Sequence, residues 1–313
     1  MKVTTTLGNM IEEVEAMSAG NFDETVPLSE IEFESLNEMC IAGVGMEVLP
    51  QAQRLLANRL RVPFSYLDRC PAELQSENLN YWLEREKKKR ETFFCRFNGE
   101  RQVRAVFTDR YTAIDNREIL AKMLGLGFRP EQEVQYMLDD GMMVLKVPEY
   151  EKSFEVMLKD TVVPGLSIGN SEIGFLSFCI ECFYLRLVCT NGIVVPVSVG
   201  QSRFKHISRK AFEALPETIR QVAESSNRQQ AQMVISVNTP VYNPTKTIES
   251  FNKRFGLTLA EGEMVKAAFA QEPGETMWNV IQAYTGSAKA PELTVDAAYR
   301  LERAGGQILG LVK

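Results

Sequence analysis

The chain has 313 residues, 45% of them apolar, with a mean hydropathy of -0.15 and a net charge of -6. These values exclude a chain that is disordered throughout and call for one large domain or two ordinary ones with a substantial core. No apolar run reaches the roughly eighteen residues of a membrane span, and the opening "MKVTTTLGNMIEEVEAM" has no apolar stretch behind a basic one, so the expectation is a cytoplasmic protein with no membrane partner.

Residues 1–50 hold ten acidic side chains against the single Lys2, a net of -9, which leaves +3 for residues 51–313. The opening segment is expected to be an acidic leader. Charge segregated in this way suits a nucleic-acid surface, or a segment that covers one. "QAQRLLANRL" followed by "RVPFSYLDRC" predicts two helices joined by a turn; it resembles half of a helix-turn-helix, but Arg61 stands where a glycine would usually open the turn. "TFFCRFN", "GE" and "RQVRAVF" then read as a β-hairpin, and "TDRYTAIDNREILAKML" as a helix with Asp115 and Glu118 in a capping box. Strands are expected at "EVQYMLDDGMMVLKVP", at "FEVMLKDTVVPGLSIGN" and at "LSFCIECFYLRLVCTNG", and helices near 210–231, 245–255, 261–270, 275–286 and 294–309. The expected fold class is α+β: a mostly antiparallel central β-sheet with N-terminal helices and a helical C-terminal region. The expected division is an acidic leader over 1–50, an α+β core over 51–207 and a helical region over 208–313 packed on that core.

The six cysteines are too sparse for a disulfide framework and suit a reducing compartment. Three of them, Cys179, Cys182 and Cys189, fall close together within strand-forming sequence. Neighbours on a strand alternate between faces, so Cys179 and Cys182 point opposite ways, and Cys189, on the face of Cys179, would lie about 33 Å along the strand. No metal site is expected there. The stretch reads as a central strand buried on both faces, with Glu181 and Arg186 as charged exceptions that need partners.

His206 is the only histidine, and no phosphate loop, nucleophile elbow or dinucleotide fingerprint is present, so no catalytic residue and no cofactor are assigned. Asp109, Asp115 and Glu172 near strand ends offer carboxylates to a magnesium ion, although a helix cap explains Asp115 and a turn explains Asp109. The most concentrated signal is basic and aromatic. Residues 85–104 carry eight basic groups against three glutamates. The candidate nucleic-acid-binding residues are Arg85, Lys87, Lys88, Lys89, Arg90, Phe94, Arg96, Arg104, Arg110 and Tyr111, because positive charge tracks phosphates while aromatic faces stack on bases. The competing reading is a solvated basic face over aromatic side chains that belong to the core.

"AVFTDRYTAIDNREIL", "GNSEIGF", "LRLVCTNGIVV" and "LERAGGQIL" together resemble the phage- and plasmid-borne family known as domain of unknown function 932, from about residue 28 to the C-terminus. The resemblance implies a polar site formed by motif residues Asp109, Asn116, Asn170, Ser171, Glu172, Glu181, Arg186 and Asn191. It brings no established activity. It does imply the company of mobile elements, and so favours proteins that handle DNA or counter host defences. The leading expectation is a non-enzymatic single-strand nucleic-acid-binding protein, acting in recombination or strand annealing as a homo-oligomer, with single-stranded DNA as the first partner. The alternatives are a counter-defence protein that occupies a host protein through its acidic leader, and a metal-dependent nuclease using Asp109 and Glu172.

Overall fold

The computed structural model describes residues 2–195, 203–204 and 210–312. In chain order the elements are β1 (Val3–Thr6), α1 (Leu7–Met17), β2 (Phe22–Pro27), β3 (Ile31–Phe33), β4 (Glu38–Ile41), β5 (Val44–Glu47), α2 (Pro50–Arg59), α3 (Phe64–Leu67), α4 (Ala72–Lys87), β6 (Thr92–Phe97) and β7 (Val103–Thr108). They continue with α5 (Asn116–Gly125), β8 (Glu133–Leu138), β9 (Met143–Pro148), β10 (Phe154–Met157), β11 (Asp160–Asn170), β12 (Phe178–Arg186), β13 (Asn191–Val195), β14 (Arg203–Phe204), α6 (Lys210–Asn238), α7 (Pro244–Phe255), α8 (Leu259–Gln271), α9 (Met277–Ser287) and α10 (Val295–Leu311). The fold is α+β. None of the described helices is long and apolar enough to cross a membrane.

The large sheet runs β1-β8-β9-β11-β12-β13, with β10 on β11 and β14 on β12, and these pairings are antiparallel. β12 is an interior strand, fifth of the six along this order, and it is buried throughout because both of its faces are apolar. Phe178, Ile180, Cys182 and Tyr184 enter the principal core with residues of α1, α5 and α6, while Cys179, Phe183 and Leu185 face Val295, Ala298 and Tyr299 of α10. Cys182 Sγ accordingly donates to the Val222 carbonyl, and Cys179 Sγ meets the Tyr299 hydroxyl on the other side. Cys189 departs from the expectation: β12 ends at Arg186, and Cys189 lies in the turn to β13, because the strand reverses there rather than continuing.

Two smaller sheets, β2-β6-β7 and β3-β4-β5, build a second core with α2, α3 and α4 around Val26, Phe33, Leu56, Leu79, Leu83, Phe93 and Phe97. The acidic opening segment is therefore no detached leader. β1 pairs with β8 of the large sheet and β2 pairs with β6 across Phe22–Pro27, so its backbone donors and acceptors are satisfied by distant strands. The boundary expected at 207 lies outside the described residues. The helix-turn-helix resemblance reduces to α2 and the single turn of α3, with Arg61 in the left-handed conformation (φ +61°) that a glycine would ordinarily take.

Candidate functional site

β6 and β7 present opposite faces to two different cores. Phe93, Cys95, Phe97, Val103 and Val106 point into the second core, while Phe94, Ala105 and Phe107 turn the other way, towards Ile173 just beyond β11. Arg96 has the same alternation as Phe94 and becomes the hub of a polar seam. Its Nε lies 2.9 Å from Asp23 Oδ1, its Nη2 2.5 Å from Asp115 Oδ1 and its Nη1 3.0 Å from the Glu172 carbonyl. Burial opposes its charge, but Asp115 and Asp23 outweigh that and hold the guanidinium above its ordinary pKa. Arg104 Nη2 donates to Glu172 Oε2 at 3.0 Å, and Glu172 Oε1 accepts from the Asn116 backbone N–H at 2.9 Å. Thus Glu172, not Asp115, caps α5. The expected capping box is absent because Arg96 has taken the Asp115 carboxylate.

The same seam gathers Tyr111, Asn170 and Ser171. The Tyr111 hydroxyl donates to the Glu172 carbonyl at 3.0 Å, its ring stacks on Phe107 at 3.6 Å, and burial pushes its pKa up. Asn170 Nδ2 donates to the Ile114 carbonyl and to Asn116 Oδ1, and Ser171 Oγ donates to the Gly141 carbonyl. Gly174 closes the arrangement: its φ is +93°, and a Cβ there would lie 2.9 Å from the Phe107 ring. Beside the seam, a cleft of about 240 Å³ opens among the C-terminal end of α1, the β8–β9 turn and the Arg104–Glu172 pair. A smaller one of about 110 Å³ adjoins it through Ser18, Asn21, Arg104 and Glu172.

The basic segment does not stay together. Arg96 and Arg104 are committed to the seam, and Phe94 packs against Tyr111 at 5.6 Å instead of offering a free stacking face. Lys87 pairs with Glu84, Lys89 with Glu86, and Arg90 with both Glu86 and Asp109. Lys88 and Arg110 are exposed with no partner among the described residues, and the Arg85 guanidinium lies 4.9 Å from the centre of the Tyr81 ring and 5.1 Å from that of Trp82. Sequence reasoning passed over Arg59 at the end of α2. Its Nε is buried without a hydrogen-bond partner, and burial together with neighbouring Arg90 lowers its pKa.

A family model described as "Domain of unknown function (DUF932)" matches residues 103–303. The chain belongs to the DUF932 family. No curated protein and no solved structure matches it. The DUF932 match runs from β7 to Arg303 in α10, so residues 28–102 and 304–313, which the sequence resemblance also took in, lie outside it.

Within the DUF932 region the motif residues form several sites, not one. Asn116, Asn170, Ser171 and Glu172 meet in the seam. Asp109, over half exposed, joins Arg90 and lines neither cleft that Glu172 lines. Among the described residues no three His, Cys, Asp or Glu side chains are placed to hold a metal ion. Arg186, at the far end of β12, lies between Asp160 at 2.7 Å and Glu272 at 2.6 Å, with the Trp278 indole N–H also donating to Asp160. Asn191 Nδ2 donates to Gln282 Oε1 at 2.9 Å. Glu181 belongs to a buried polar row that strand register alone creates. Gln135, Lys146, Ser167 and Glu181 stand side by side across β8, β9, β11 and β12, under α10. Glu181 accepts from the Tyr299 hydroxyl and pairs with Arg303, and Lys146 pairs with Glu302. The "LERAGG" motif thus supplies Glu302 and Arg303 to this row. Its Gly305 lies over Thr285, and Gly306, next along, lets α10 approach the β13 backbone.

Proposed function

We propose that this protein is a non-enzymatic single-strand nucleic-acid-binding protein of a mobile element, and that the strand runs over the C-terminal end of α4. The observation that carries this reading is that Lys88, at the C-terminal cap of α4, and Arg110, next to the Asp109 that pairs with Arg90, are both exposed with no partner among the described residues. Along the chain, residues 84–91 carry Arg85, Lys87, Lys88, Lys89 and Arg90 against Glu84, Glu86 and Glu91, five cations to three carboxylates. A phosphate would pair with Lys88 and Arg110, and the half-exposed Tyr81 ring, with Arg85 over it, offers a face to a base. Arg96, Arg104 and Tyr111 act in this reading by holding the hairpin in place: Arg96 bridges Asp23, Asp115 and the Glu172 carbonyl, Arg104 pairs with Glu172, and the Tyr111 hydroxyl donates to the Glu172 carbonyl.

A gel-shift titration with single-stranded DNA, duplex DNA and RNA across salt concentrations tests it. Affinity for the single strand should fall by roughly 0.7 log units per phosphate contact per log unit of salt. Replacing Lys87, Lys88, Lys89 and Arg90 by Gln should lower both affinity and slope, whereas Tyr81→Ala should lower affinity with little change in slope, because stacking releases no counterions. Failure to retain any single-stranded probe at about 50 mM salt would exclude the reading.

A second reading rests on a different observation. Glu38 and Glu47 face each other across β4 and β5, both exposed, with Glu30, Glu32 and Glu34 exposed nearby. Like charges directly opposite destabilise a strand pair, and a basic partner protein would relieve them. This fits a counter-defence protein. If it is right, Glu38→Lys should abolish the biological effect while the single-strand gel shift stays negative.

A further inference from the structure

We infer that the 240 Å³ cleft beside the seam is a binding site for a small amino acid with a cationic side chain, the class of lysine and arginine. This inference is independent of the nucleic-acid reading, since the cleft lies among α1, the β8–β9 turn and the Arg104–Glu172 pair. The volume falls just below the roughly 300–1,000 Å³ of drug-sized sites, so it suits a ligand of about amino-acid size.

The lining residues fall into two polar groups of opposite demand. Asp139 and Asp140 form no ion pair among the described residues. Asp139 Oδ1 is occupied by the Gly141 and Met142 N–H groups, and Asp140 meets only Gln51 Nε2 at 3.5 Å. Gln51 Oε1 is itself buried without a donor. This group therefore needs N–H donors and positive charge. The other group has N–H donors to spare beside the Glu172 carboxylate, which also lines the cleft and already pairs with Arg104. Asn116 is 8% exposed and lines the cleft, and its Nδ2 donates to no described residue. Arg104 spends Nη2 on Glu172, which leaves Nε and Nη1 uncommitted. A carboxylate answers Arg104 and Asn116, and an ammonium or guanidinium answers Asp139, Asp140 and Gln51. Leu49, Leu138 and Met142 complete the lining with apolar surface for a methylene stem. Two uncompensated carboxylates disfavour an anionic ligand such as a nucleotide.

Isothermal titration of the full chain with L-lysine, L-arginine, norleucine, cadaverine and L-glutamate tests this. Lysine or arginine should bind about tenfold or more tightly than norleucine, which lacks the side-chain charge, and cadaverine, which lacks the carboxylate; glutamate should not bind. Asp140→Asn and Gln51→Leu, each checked for unchanged thermal unfolding, should bring lysine down to the affinity of norleucine. Glu292→Gln, exposed in the α9–α10 connection and away from the cleft, should change nothing. Absence of binding to lysine and arginine up to roughly 10 mM, equal affinity for norleucine, or lysine affinity untouched in both Asp140→Asn and Gln51→Leu would each overturn the assignment.

Discussion

The Lys146 ammonium of β9 and the Glu302 carboxylate of α10 meet inside the protein, with Nζ 2.5 Å from Oε1 and both side chains almost wholly shut off from solvent. Burial lowers the pKa of Lys146, and Glu302 opposes that shift. Removing one partner of such a pair strands a buried charge, whereas replacing both with apolar groups does not. Glu302→Gln should therefore destabilise the protein by about 3–5 kcal/mol, and the double variant Lys146→Met with Glu302→Leu should recover most of the loss. Urea unfolding of the three proteins measures both effects.

Helix α10 packs close to the sheet at Gly306, where a Cβ would fall 2.0 Å from the Val194 carbonyl oxygen, a backbone atom that cannot move aside. Gly306→Ala should cost about 3 kcal/mol or more. At Gly310 on the same helix a Cβ meets nothing within 4 Å, so Gly310→Ala should stabilise by up to about 1 kcal/mol through helix propensity. Opposite signs from two identical substitutions on one helix would be read directly by thermal melts.

Cys95, Cys179 and Cys182 are buried, while Cys40, Cys70 and Cys189 are partly exposed. A thiol reagent should label the latter three in the native protein and all six only after denaturation. Burial, and then the charge of Glu24, pushes the Cys95 thiol up to about 12. The unfolded chain gives up this proton from about pH 8.5, so above that pH the native state binds more protons than the unfolded state. The Cys95 contribution to stability is complete below about pH 8.5 and is lost towards pH 12, at up to about 1.4 kcal/mol per pH unit. Cys95→Ala should remove that slope, as followed by urea midpoints between pH 8 and 10.5.

Deleting residues 1–27 removes β1 from the edge of the large sheet and β2 from beside β6, and uncovers the buried side chains of Tyr136 and Phe93. The truncated chain should lose cooperative unfolding in calorimetry. An acidic leader that merely shielded the rest of the chain would leave the transition intact.

The sequence by itself determined the features that depend on near neighbours. Period-two alternation with apolar residues on both sides marked β12 as a central strand and put Cys179 and Cys182 on opposite faces. Helical spacing marked α6 to α10, and turn residues marked the hairpins at Gly99 and Asp140–Gly141. Only the tertiary structure decided which charges neutralise which. Arg96 reads as one of eight basic groups in a short segment, yet it meets Asp23, 73 positions away, and Lys146 meets Glu302, 156 positions away. A count of charges carries no distance between them. The polar row under α10 was equally illegible, because Gln135, Lys146, Ser167 and Glu181 become neighbours through the register of four strands, and register is set by long-range packing that no local period encodes. The acidic opening segment followed the same logic: its composition resembled a leader, but a strand is defined by the partner that satisfies its backbone, and for β1 that partner, β8, begins at Glu133.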